Sequence, residues 1–339
     1  MAKVSFQRLL QSANLLGGSI PTAGAVSFPP PTGPYNTTLH TAELIDFHRL
    51  DPFAPTRQPR ALMVSVFNPI SPHSCLPAVT PYMVPLTAAF EDAQFAQYGV
   101  LAGTFESLNL RACNPRQQQD KQELPLILFS PALGTTRLFY SAIAQEVSSA
   151  GYTVITIDHP YDVDIVTFPD NTTILAANIT EAEVPLALHT RVKDVSFVLD
   201  ELSKPSIARK LIPTLDYDLN VSKVGIFGHS LGGATAAQAM LSDSRLVGGV
   251  NLDGSFFGSV VEKGLNRPLL IFGNQGKNTS TDPTWEAIWP KLTGFKRELV
   301  LANSAHYTFS DLPDIVDVLG IGAELPSEVG QLLGTIDGS

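Results

Sequence analysis

The sequence predicts one α/β domain with a mostly parallel central sheet and helices on both faces, on three observations. Short continuous apolar runs, such as Leu124 to Ser130 (LPLILFS) and Thr153 to Asp158 (TVITID), have the length of strands buried on both faces. Helix-like stretches alternate with them, as parallel βαβ crossovers require. At Lys223 to Ala237 (KVGIFGHSLGGATAA) an apolar strand runs into a Gly-rich turn and then into small residues suited to a closely packed helix.

The elements follow in order. Lys3 and Arg8 precede Leu9, Leu10, Leu15 and Leu16, but Gln11, Ser12 and Asn14 interrupt the apolar core a signal peptide needs. A weak targeting segment and an amphipathic helix using Phe6, Leu9, Ala13 and Leu16 both stay open. Residues 17–34, with Pro29-Pro30-Pro31, read as an extended arm, so residues 1–34 stand apart from a domain over 35–325, and 326–339 form a tail. Ala61 to Phe67 reads as the first strand, ended by Pro69. Ser71 to Glu123 is an excursion rich in Pro, with a helix in AAFEDAQFAQYG and a polar run from Arg116. After LPLILFS come the loop PALGTTR, a helix from Leu138 to Gly151 and the strand TVITID. Tyr161 to Pro185 reads as an exposed loop or lid. Thr190 to Ser203 is an amphipathic helix with Val192, Val195, Leu199 and Leu202 on one face, closed by Pro205. Val247 to Leu252, Pro268 to Phe272 and Glu298 to Ala302 supply the last strands, with a helix in DPTWEAIWPKL between the final two.

Composition excludes several classes. The 339 residues are 44% hydrophobic and 16% charged, a globular composition, and no apolar run approaches the ~18 residues of a membrane span. Thirty-two acidic against 22 basic residues give a net charge of −10 without a Lys/Arg cluster, which argues against a nucleic-acid partner. Cys75 and Cys113 are too few for a Cys-rich zinc site; one disulfide and two free thiols both stay open. No cofactor or metal is expected. Sequons at Asn36, Asn171, Asn178, Asn220 and Asn278 favour secretion, with a cytoplasmic location as the alternative.

The chemistry centres on Gly228-His229-Ser230-Leu231-Gly232, a GxSxG pattern in a strand-to-helix context, which is the nucleophile elbow of the α/β-hydrolase arrangement. A serine hydroxyl needs a base, and the base needs a third group to fix its tautomer. In this arrangement an acid and then a histidine follow the serine, at strand ends. His306, in ELVLANSAHYTFSD, is the only histidine after Ser230 and sits in a loop after a strand. His40, His48, His73, His159 and His189 precede the serine and read as structural. Among Asp243, Asp253, Glu262, Asp282, Glu286 and Glu298, Asp253 directly follows a strand and is the expected acid; Asp282 reads as a helix N-cap and stands second. The oxyanion needs the N–H of Leu231 and one from FSPALGTTR, where Pro131 has none, leaving Ala132 or Leu133.

LPLILFSPALGTTRLFYSAIAQEVSSAGYTVITIDHPYD, GHSLGGAT, LDG and SAHYTFSD together resemble the serine-dependent platelet-activating factor acetylhydrolases of the plasma and type II intracellular kind, across roughly Ala61 to Leu319. The resemblance implies Ser230, Asp253 and His306 as the triad and Leu133 with Leu231 as oxyanion donors. It also implies a calcium-independent hydrolase releasing short acyl chains, often acetyl, from the sn-2 position of ether phospholipids and related esters. The chain departs from that family at Pro131-Ala132, where His-Gly is frequent, and at Gly254-Ser255-Phe256, where a large aromatic is expected.

The resulting expectation is a serine carboxylic-ester hydrolase acting on small-molecule or lipid esters, with peripheral contact to lipid surfaces and no stated oligomer. An acyltransferase, lactonase or cyclising hydrolase using the same triad is the alternative. A non-catalytic binding module on a hydrolase fold is the third reading.

Overall fold

The computed structural model describes residues 24–116, 123–215 and 219–334. The reading of the first residues as targeting segment or helix lies outside them, as does most of the polar run after Arg116. In chain order the strands are β1 (Val26–Ser27), β2 (Asn36–Leu50), β3 (Pro59–Ile70), β4 (Cys75–Pro81), β5 (Leu108–Pro115), β6 (Leu126–Ser130), β7 (Thr153–Asp158), β8 (Ile165–Thr167), β9 (Thr173–Leu175), β10 (Val224–His229), β11 (Leu246–Leu252), β12 (Leu269–Gly273) and β13 (Lys296–Val300).

Eight of them form one sheet in the order β13-β12-β11-β10-β6-β7-β3-β2. From β7 to β13 every pairing is parallel, while β3 pairs antiparallel with β7 and β2 antiparallel with β3. Neighbouring residues of the central strands face opposite ways, so Leu128 and Ile226 enter one apolar core while Phe129 and Phe227 enter the other. The helices Val184–Leu202 and Leu231–Ser242 cover the first face; Ser141–Ser149 and Leu312–Leu319 cover the second. This is the α/β-hydrolase architecture expected.

Five expectations are corrected. Ala61 to Phe67 is not the first long strand, because the 15-residue β2 precedes it as the sheet edge. Asp46 shares a buried face with Ala42 and Leu44, and Thr37 is buried on the opposite face, so the apolar alternation is diluted. Pro69 does not end β3, which runs to Ile70. The β7 ladder stops at Phe67, and beyond it a missing N–H breaks no second ladder. The excursion from Ser71 holds β4 and β5, which join β1 in a three-stranded sheet, and the Cys75–Cys113 disulfide closes it over a separation of 38 residues. Tyr161 to Pro185 is not simply exposed: Val163, Ile165, Val166 and Phe168 are buried, and β8 and β9 form a hairpin. The next helix starts at Val184, behind a Thr180/Glu183 capping box.

At the two ends of the described chain, β1 pairs with β5 and Phe28 is buried. The helix Ser327–Leu333 is tied to the His306 loop by a Thr308 hydroxyl bond to the Leu333 carbonyl (2.8 Å).

Candidate active site

Ser230 stands between β10 and the helix Leu231–Ser242 with φ 56° and ψ −120°, a conformation that L-residues rarely adopt. Close packing imposes it. A Cβ on Gly232 would lie 1.9 Å from the Ser130 carbonyl oxygen, and one on Gly228 would lie 2.3 Å from the Gly232 oxygen. The glycines let the elbow helix start hard against the end of β6. The Ser230 N–H donates to the Leu252 carbonyl at 2.8 Å, which ties the turn to β11.

Asp253 follows β11 directly, its φ of 57° turning the chain sharply. Its carboxylate is buried and accepts from the Asn274 backbone N–H at 2.8 Å and the Asn274 side-chain amide at 2.9 Å. Its Oδ2 lies 2.5 Å from Nδ1 of His306, whose side chain is 25% exposed. That bond directs the proton to Nδ1 and leaves Nε2 as the basic nitrogen. The His306 ring sits 4.5 Å, centroid to centroid, from that of His229, the residue before Ser230, so the histidine stands over the elbow. The structure thus brings Ser230, Asp253 and His306 to one end of the sheet.

The two expected oxyanion donors are neighbours as well. Leu133 packs into a small cluster that contains Leu231 and Ala234. The Ala132 N–H is engaged, donating to the Tyr140 hydroxyl at 3.2 Å, so of Ala132 and Leu133 the loop keeps the Leu133 N–H. The Tyr140 oxygen is 2.9 Å from Nδ1 of His229. Burial first, and then the nearby His306, holds His229 well below the ordinary imidazole range, so it is neutral and accepts the Tyr140 proton at Nδ1.

The second-ranked acid, Asp282, caps the helix Pro283–Ile288 by accepting from the Thr284 and Trp285 N–H groups, as its sequence context predicts. Burial opposes its charge, yet hydrogen bonds from Ser255 and Thr284 and the ammonium of Lys277 bring its pKa down to about 2. Asp243 is engaged with Arg245 and Ser196, away from the elbow. Asn274, Tyr140 and Arg191 escape sequence reasoning. Only Asn274, one residue past β12, stands where a strand-end search finds it.

A strained serine on a strand-helix turn, beside a buried carboxylate bonded to a histidine, defines an α/β-hydrolase of the ester-hydrolase class. Comparison with known proteins agrees. A ferulic acid esterase from Streptomyces cinnamoneus superposes with a TM-score of 0.75 at 30% identity, covering 91% of this chain and 86% of that one. A protein of Arthroderma benhamiae named as a probable 1-alkyl-2-acetylglycerophosphocholine esterase is 35% identical over 333 residues, which is 91% of this chain and 82% of that one. The platelet-activating factor acetylhydrolase of Cavia porcellus is 25% identical over 238 residues, covering 62% of this chain and 55% of its own. The family model of platelet-activating factor acetylhydrolase, isoform II, matches residues 74–178 and 209–325. The chain belongs to that family and is a carboxylic ester hydrolase.

Proposed function

We propose that the chain hydrolyses short-chain acyl esters of the 1-alkyl-2-acetylglycerophosphocholine type through an acyl-enzyme at Ser230. The observation that carries this is the Asp253–His306 bond beside a serine held at positive φ. Ser230 Oγ attacks the ester carbonyl carbon and gives its proton to Nε2 of His306, while Asp253 holds the imidazolium. The N–H groups of Leu133 and Leu231 receive the oxyanion. Collapse expels the alcohol, which takes the proton from His306; water, deprotonated by the same histidine, then releases the carboxylic acid and frees Ser230.

The substrate class rests on the family and on the printed name of the fungal relative.

The test compares kcat/KM on 1-alkyl-2-acetyl and 2-palmitoyl glycerophosphocholines and on methyl ferulate, with Ser230→Ala as control. The acetyl ester is expected to lead the palmitoyl ester by about 100-fold, the order of discrimination that pocket fit supplies. Preference for methyl ferulate would move the chain to aromatic-acid esters, the substrate in the name of the structural neighbour. Acyl transfer outrunning hydrolysis when an alcohol is supplied would favour the acyltransferase reading.

We further propose that the protein passes through a secretory compartment. The disulfide supports this, as do the sequon asparagines Asn36, Asn171, Asn178 and Asn220, all exposed. Glycosidase treatment of protein recovered from the culture medium of the producing cells is expected to lower its mass. Recovery only from the cytosol, unglycosylated and with reduced thiols, would contradict the proposal.

A further inference from the structure

The loop that carries Leu133 is held by the side chains of Arg191 and Tyr140 and by the backbone carbonyl of Asp162. Arg191, on the helix Val184–Leu202, donates from Nη1 to the Pro131 carbonyl at 2.5 Å and from Nη2 to the Ala132 carbonyl at 3.2 Å. Nη1 also reaches the Ser130 hydroxyl at 3.2 Å. The guanidinium is aimed by Asp162, which accepts from Nε at 2.7 Å and pairs with Nη2. The backbone carbonyl of Asp162 meanwhile accepts the Gly134 N–H at 2.9 Å. From the other side the Tyr140 hydroxyl accepts a hydrogen bond from the Ala132 N–H and donates one to His229. Pro131 has no N–H to place. These contacts engage both carbonyls of Pro131-Ala132 and the N–H groups of Ala132 and Gly134, and they leave the Leu133 N–H for a ligand.

Below the loop lies a chain of the same residue types as a triad. The Ser130 hydroxyl is 2.9 Å from Nε2 of His159, and Nδ1 of His159 is 2.8 Å from Asp194, itself paired with Arg60 at 2.7 Å. Ser130, His159, Asp194 and Arg191 have no exposed surface, so no substrate reaches this chain. Burial, reinforced by the charge of Arg191, keeps His159 below the usual imidazole range, so the neutral ring donates to Asp194 and accepts from Ser130. It is a brace for the strand end that feeds the loop.

We infer that Arg191 and Tyr140 are positioning residues for the reaction: they fix the loop so that the Leu133 amide points at the oxyanion. The inference rests on the acyl-enzyme reading above. A preorganised donor loses most of its effect when it is displaced by a fraction of an ångström, so the loss falls on the transition state and spares ground-state binding.

Tyr140→Phe deletes one buried hydroxyl, and Arg191→Lys keeps the charge opposite Asp162 but cannot fork across two carbonyls. Each full-length variant is assayed with p-nitrophenyl acetate, its active fraction is titrated with a fluorophosphonate, and its affinity for a trifluoromethyl ketone, whose serine adduct carries an oxyanion, is measured. We expect kcat per titrated site to fall about 10- to 100-fold with KM within about twofold, and ketone affinity to fall by the same factor. Tyr140→Phe with kcat per site and ketone affinity within about twofold of the parent overturns the inference, as does an activity loss matched entirely by fewer titrated sites. Where Arg191→Lys does not fold, Tyr140→Phe decides. Failure of the parent enzyme to form the ketone adduct would instead overturn the acyl-enzyme reading.

Discussion

Asp253→Asn is expected to lower kcat by about 10⁴-fold while leaving the fold intact and KM little changed. The native carboxylate accepts three hydrogen bonds, two from Asn274 and one from Nδ1–H of His306. An asparagine keeps the shape, and it tolerates the positive φ at this position better than most residues. Its amide nitrogen can only donate, so the imidazole bonded to it settles in the tautomer with the proton on Nε2. That nitrogen then cannot accept the Ser230 proton, and the positive charge that develops on His306 loses its counter-charge. Turnover at a few per cent of wild type or better, with unchanged melting temperature, would show that Asp253 is not the orienting acid.

Gly232→Ala is expected to destabilise the protein by more than about 4 kcal/mol, enough to abolish soluble folded enzyme, because the added methyl collides with main chain that cannot turn aside. Its Cβ would stand 1.9 Å from the Ser130 oxygen and 2.7 Å from the Pro131 oxygen. Relief requires the elbow helix to lift from the end of β6, which parts Ser230 from the oxyanion loop. Gly225→Ala in β10 is the control: its Cβ meets only the side chain of Ile127, at 3.4 Å, and the cost is expected to stay within about 1 kcal/mol. Denaturant melts of the two variants measure the contrast. Equal stabilities would contradict the packing argument.

Strands that are buried on both faces announce themselves. TVITID is β7 residue for residue, and LPLILFS contains β6, because no solvent-facing position dilutes the apolar run. The edge strand β2 and the sheet of β4 and β5 do not, since Leu76 and Val79 face solvent and Pro77 and Pro81 read as breakers. In the site, the strict chain order of serine, acid and histidine makes Ser230, Asp253 and His306 legible, and the structure places all three at one sheet end. Arg191 and Tyr140 are illegible for a different reason. Arg191 meets Pro131 across 60 residues of chain and Tyr140 meets His229 across 89, and neither residue belongs to a local pattern. A lone arginine on an amphipathic helix reads as a surface charge until the fold buries it.

Labelling with a fluorophosphonate, followed by peptide mapping, asks whether Ser230 is the activated nucleophile. The reagent needs an activated serine and an oxyanion site together, and the Ser230 elbow with the Leu133 loop is expected to supply both. One adduct per chain is expected, on Ser230 in the peptide containing GHSLGGAT, with loss of ester hydrolysis in proportion and no adduct in Ser230→Ala. An adduct at another residue that abolishes activity, or an active enzyme that leaves Ser230 unmodified, would contradict the account.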